Sequence, residues 1–195
     1  MVDKTENQIE KALGAYFEVL PLDRTPRHRA LKEILKSDEY TYEGKLAISG
    51  VGYGEIPVRE WAFKNADGAH LITILHASVG GITEKMAKLI LANPYLRSEH
   101  LIAPFLVNSA RPTKQMHYKV RTFLLSSLTQ EQLSHTFFAV LLDFVDNKFK
   151  HDYNNSEASK ATFRSALIEK ARVFYELPAS VPDSWVTTII TGKEN

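Results

Sequence analysis

Apolar residues recur every three or four positions through the N-terminal segment. Ile9, Ala12, Leu13, Tyr16, Phe17 and Leu20 fall on one face of a helix. Thr5 with Gln8 three residues on has the form of a capping box, and Pro21 closes the element. Thr25 reads as the N-cap of a second helix, Pro26 suits its first position, and Leu31, Ile34 and Leu35 form its buried side.

From Tyr40 to Ala77 the period changes to two. Tyr42, Leu46 and Ile48 predict one strand and Val58 to Phe63 a second. Leu71 to Ala77 is apolar on both sides and predicts a central strand. Asp67-Gly68 between the last two is a hairpin signal. The expected product is a small antiparallel meander.

The helical period then returns. Ile82 to Ala92 predicts a helix capped by Thr83 and stopped before Pro94. Leu101 to Val107 is apolar but holds Pro104, which leaves strand and helix both open. Thr113 to Leu128 predicts a helix burying Met116, Val120, Phe123 and Leu124, and Thr129 with Gln132 starts another. That next helix carries two apolar stripes, Leu133, Phe137, Leu141, Phe144 and Phe138, Leu142, Val145, Phe149. A helix apolar on two sides is the central member of a bundle. Ser156 to Glu176 forms a further helix, and the tail with Trp185 and its VTTII run docks on the body or pairs at a sheet edge.

The fold class expected from this pattern is α+β. A small antiparallel sheet over about residues 40–77 packs with N-terminal helices and a C-terminal helical bundle. No repeat or long linker divides the chain, so residues 1–195 read as one α+β domain. Its sheet-containing half covers about 1–94 and its helical half about 95–195.

Composition narrows the function classes. Lys plus Arg is 24 against 23 acids, a net charge of +1, so any anion site must come from local clustering. There is no cysteine, which excludes disulfides, thiolate metal sites and a cysteine nucleophile and fits a reducing compartment. The polar, acidic start is unlike a signal peptide, and the longest strongly apolar stretch, Phe137 to Val145, contains Asp143 and is too short to span a membrane. A cytoplasmic protein with no membrane association is expected.

Clustering does occur. Between Glu99 and Glu131 the chain has no acid, and Arg111, Lys114, His117, Tyr118 and Arg121 repeat at helical spacing within that gap. On a helix they would form a cationic, partly aromatic stripe suited to phosphates, Arg offering paired planar donors and the rings a stacking face. A second basic group lies on the second helix: Arg24, Arg27, His28, Arg29, Lys32 and Lys36, opposed by Asp23 and Glu33. Arg27, Arg29 and Lys32 serve as its secondary anion surface.

Other motifs are weaker. Gly50-Val51-Gly52-Tyr53-Gly54 lies between two predicted strands like a phosphate-covering loop, but Ile56-Pro57-Val58 cannot open the helix of the dinucleotide fingerprint. No HRD or DFG triplet accompanies it, so it reads as a hairpin loop with Tyr53 as a contact residue at its tip. Ser78 to Thr83 reads as a strand-to-helix turn. Asp143, Asp146 or Asn147, and His151 share one side of a helix end at a spacing a metal ion could use; they read as a polar helix end, with no metal or other cofactor expected.

The leading expectation is a non-enzymatic polyanion-binding module, with DNA or RNA the partner, acting through Arg111, Lys114, His117, Tyr118 and Arg121. The alternatives are an interaction or assembly subunit that binds another protein or itself, and a small enzyme acting on a phosphorylated substrate near the two glycine segments.

Overall fold

The computed structural model describes residues 4–106, 116–148 and 156–192. Among them are eleven α-helices and no strand. The expected α+β class is therefore corrected to all-α: the segment from Tyr40 to Ala77 forms three helices where a meander was expected.

The chain groups into two compact units, the first Met1–Ile74 with Asn93–Tyr95, the second Leu75–Ala92 with Leu96–Asn195. The first contains α1 (Lys4–Val19), α2 (Arg24–Lys36), α3 (Tyr42–Gly52) and α4 (Ile56–Asn65), and the division falls inside α5 (Gly68–Ser78). Helix α1 packs on α2 and α3, and α4 packs on α2 and α3. Their core joins Ala12, Tyr16, Leu31, Leu35, Ile48 and Val58, with Trp61 and Tyr40 packed against it.

The helical face of α3 is invisible to a hydrophobic count because glycines form much of it. Gly44, Ile48 and Gly52 lie four residues apart and are buried. A Cβ on Gly44 would stand 2.8 Å from the Cβ of Ala12, and one on Gly52 would stand 2.8 Å from the Tyr16 ring. Gly52, expected in a hairpin loop, and Gly44 are close-approach positions that let α1 settle on α3.

Two more strand signals resolve in the same way. Pro57 lies in the first turn of α4, where no N–H is needed, and Val58, Ala62 and Phe63 form the buried side. In α5 the buried residues are Leu71, Ile74, Leu75 and Ser78, a spacing of three, four and seven, while Ile72 is exposed. Asp67, read as a hairpin residue, precedes α5 and accepts from the His70 N–H at 3.2 Å. The His70 ring also bonds its carboxylate at 3.0 Å, and this contact first of all lowers the Asp67 pKa. Asp67 therefore acts as a helix cap.

The second unit contains a 3₁₀ turn (Val79–Gly81), α6 (Glu84–Leu91), α7 (Glu99–Leu106), α8 (Tyr118–Ser127), α9 (His135–Asp143), α10 (Glu157–Phe174) and α11 (Asp183–Thr191). A π-helical turn, Phe144–Lys148, continues α9. Thr83 caps α6 by accepting from Met86 N–H, and Ser156 caps α10 by accepting from Ser159 N–H. The capping box at Thr129 and Gln132 is present, but it opens a 3₁₀ turn, and α9 starts later with Ser134 as its cap.

Helix α9 packs against α7, α10 and α11. Leu133, Phe137, Phe138, Leu141, Leu142, Phe144 and Val145 are all buried, so both expected stripes face the core; Phe149 lies outside the described residues. The VTTII tail is α11, which buries Val186 and Ile190 and leaves Trp185 exposed. Among the described residues no helix is long and apolar enough to cross a membrane.

Candidate anion-binding face

The acid-free segment and the basic helix fare differently. Arg111 and Lys114 lie outside the described residues. Helix α8 begins only at Tyr118, so the helix expected from Thr113 is shorter at its described end. His117 is its N-cap: its Nδ1 accepts from the Lys119 N–H at 3.2 Å, and its ring lies against Tyr118 with centroids 4.9 Å apart. Arg121 is only 2 % exposed, and its guanidinium lies 5.9 Å from the centre of the Phe144 ring. A cation placed over an aromatic face in the core supports packing. Arg121 thus lies in the core, His117 and Tyr118 are half-buried at the helix start, and among the described residues 117–121 only Lys119 is exposed.

Helix α2, in the first unit, presents its cations outward. Asp23 occupies the N-cap position without a side-chain bond, and Arg27 N–H closes the first turn onto the Asp23 carbonyl at 2.9 Å. Pro26 stands in that first turn, where the missing N–H costs no helical bond. Leu31 and Leu35 anchor the opposite side in the core. The amphipathic period then forces Arg24, His28 and Lys32 into one row and Thr25 and Arg29 into the next.

These five side chains line an open depression of about 520 Å³, with no acidic residue among its described lining. A neighbouring depression of about 480 Å³ is lined by Glu33, Ile34, Lys36, Ser37, Glu39 and Tyr40. Two carboxylates against one ammonium make that second surface unsuited to an anion. Cations in the first turns of a helix also face the positive end of its dipole, so a bound anion would relieve repulsion there.

Arg27 does something else. Its Nη1 donates to the carbonyls of Leu20 at 3.0 Å and Leu22 at 3.1 Å, and its Nε pairs with Glu55 at 3.3 Å. The other Glu55 oxygen meets His28 Nε2 at 3.0 Å. Glu55 thereby ties the α3–α4 turn to α2. The same charges are felt by Tyr16: burial first, then the Glu55 carboxylate, push its phenol pKa up, and Arg27 partly opposes them. Arg27 is a structural hub, and the open cations are Arg24, Arg29 and Lys32.

The sequence identified this helix and its charges. It held no signal for Glu55, which lies 27 residues from His28 in the chain and reaches it only through tertiary packing.

The remaining sites dissolve into structure. Gly50 and Gly52 belong to α3, and Ser78 ends α5, so neither glycine segment has the flanking strand expected of it. Asp146 is paired with Arg164 at 2.7 Å and Asp143 with Lys148, while His151 lies outside the described residues. No group of three or more metal-ligating side chains is found among the described residues. Compared with protein-family models, curated proteins and solved structures, the chain finds no match.

Proposed function

We propose that the protein is a non-enzymatic polyanion-binding module whose most fitting partner is nucleic acid. The observation that carries this reading is the depression of α2, whose described lining holds no acid, with Arg24, Arg29 and Lys32 exposed in two adjacent rows. Arg and Lys on such a face hold phosphates by charge-assisted hydrogen bonds and displace condensed counterions. A cytoplasmic setting goes with this reading.

The combined substitution of Arg24, Arg29 and Lys32 by Ala is expected to weaken binding of a short nucleic acid at least about tenfold at low salt. It should also reduce the steepness of log K against log salt by roughly two to three. Fluorescence anisotropy at two salt concentrations measures both. Unchanged affinity and slope in the triple variant would sink the assignment to α2. Arg111 and Lys114 are tested by a parallel double variant, since they carry the original acid-free segment.

A second reading, a protein-interaction subunit, is favoured by one observation. Trp185 is 68 % exposed and Ile189 38 %, one turn apart on α11. Exposed tryptophan is a frequent interface anchor. On this reading the chain self-associates at micromolar concentration and Trp185→Ala abolishes the association in sedimentation velocity. A monomer at every concentration removes self-assembly.

A further inference from the structure

Two exposed rings lie on segments tied to α2: Phe17 on α1, which packs on α2, and Tyr53 in the turn whose Glu55 pairs with Arg27 and His28. Phe17 is 54 % and Tyr53 47 % exposed, with Val51 and Leu22 exposed beside them in the chain. Contacts in the first unit tie these positions to the basic face. The Tyr53 turn closes when Glu55 N–H donates to the Gly52 carbonyl at 2.9 Å, and the Glu55 carboxylate holds His28, which lines the depression. Gly52 abuts the Tyr16 ring, and Phe17 stands edge-on to that ring with centroids 5.3 Å apart. Leu22, on the α1–α2 connection, has its carbonyl held by Arg27.

We propose that this corner binds a single-stranded nucleic acid, with Tyr53 and Phe17 as stacking faces for bases and Arg24, Arg29 and Lys32 holding the phosphates. The proposal rests on the polyanion reading above and adds the class of ligand. Three features support it. Arg24 and Lys32 stand about 12 Å apart along the helix with Arg29 in the adjacent row between them, a track along which a phosphate chain can run. Tyr53 is carried by a turn fixed through Gly52, Glu55, Arg27 and His28, so the backbone that presents its ring is set before a ligand arrives. A duplex conceals its base faces inside the stack, whereas an open strand presents them to rings, and ring-plus-cation surfaces are how strands are bound without sequence preference.

The test compares three fluorescent or competing ligands: a deoxythymidine strand of about twelve nucleotides, a duplex of the same length, and inorganic polyphosphate. The strand is expected to bind about tenfold more tightly than the duplex. Tyr53→Ala should weaken the strand about tenfold and leave polyphosphate unchanged, while Tyr53→Phe retains the affinity of the parent. Adding Phe17→Ala should weaken the strand further. Circular dichroism of each variant confirms that the exposed substitutions leave the helices intact.

Equal affinity for strand and duplex, with Tyr53→Ala neutral, would overturn stacking and leave the polyanion reading standing. Failure of all three ligands to bind overturns both. Binding to phosphatidylserine vesicles that needs Tyr53, with no binding to the strand, assigns the corner to a lipid surface and overturns the proposal.

Discussion

Phe137→Ala is expected to destabilise the second unit by about 3–5 kcal/mol, the range for removing a fully buried ring. Phe137 has no exposed surface and stands 5.9 Å from the Phe105 ring and 5.8 Å from that of Phe138. Phe105 in turn meets Phe163 of α10 at 6.0 Å. The substitution therefore opens a void at a position where α7, α9 and α10 share one aromatic cluster, and rigid helices cannot close around it. A loss of this size is a large fraction of the stability of a domain. Phe137→Leu keeps most of the volume and should cost below about 1.5 kcal/mol.

The two tryptophans make this measurable. Trp61 lies in the first unit and Trp185 in the second. In a Trp61→Phe background, the fluorescence of Trp185 during urea unfolding follows the second unit alone. Two units need not unfold together, so a single whole-chain transition is not assumed. A midpoint unchanged by Phe137→Ala would mean that the aromatic cluster is not the core of that unit.

Asn93→Ala is expected to cost the first unit about 2–4 kcal/mol, because two buried carbonyls and a half-buried N–H lose a partner at once. Asn93 is 2 % exposed. Its Nδ2 donates to the carbonyls of Phe63 at 3.0 Å and Ala66 at 2.9 Å, and its Oδ1 accepts from the Tyr95 N–H at 2.8 Å. Phe63 and Ala66 lie at the C-terminal end of α4, where carbonyls have no helical donor. One side chain thus caps the helix from a segment 27 residues or more away. Asn93→Asp should be as damaging at neutral pH, since a carboxylate cannot donate to either carbonyl. It should recover in part as pH falls toward about 4, because a buried carboxyl facing two carbonyls protonates above its ordinary range and then regains one donor. Trp61 fluorescence in a Trp185→Phe background reports the loss; a midpoint within about 0.5 kcal/mol of the parent would show that water replaces the amide.

The two substitutions bear differently on the candidate face. Asn93 stabilises the end of α4, and α4 packs on α2 and α3. Phe137 belongs to the other unit. Strand binding therefore has a built-in control: Phe137→Ala at a temperature where the first unit remains folded should leave the affinity of α2 intact.

The order of hydrophobic positions was enough to place α1 and α2, the double-striped α9 and α10, since each has side chains long enough to mark a period of 3.6, and the cap at Thr83 was legible from its residue type. It also placed the cations of α2 on the side away from Leu31 and Leu35. It misassigned residues 42–78, where the buried positions include glycine, alanine and serine. Such residues add little to a hydrophobic pattern, and their burial is decided by the helix that faces them, as Ala12 and Tyr16 face Gly44 and Gly52.

Charge followed the same division. Arg24, Arg27, Arg29 and Arg121 are chemically alike in the sequence. Tertiary packing alone sent Arg121 under Phe144, gave Arg27 to Glu55 and two carbonyls, and left Arg24 and Arg29 open. A charge is a structural brace or a binding group according to the partner that folding brings to it. Those partners are distant in the chain, so no local spacing announces them.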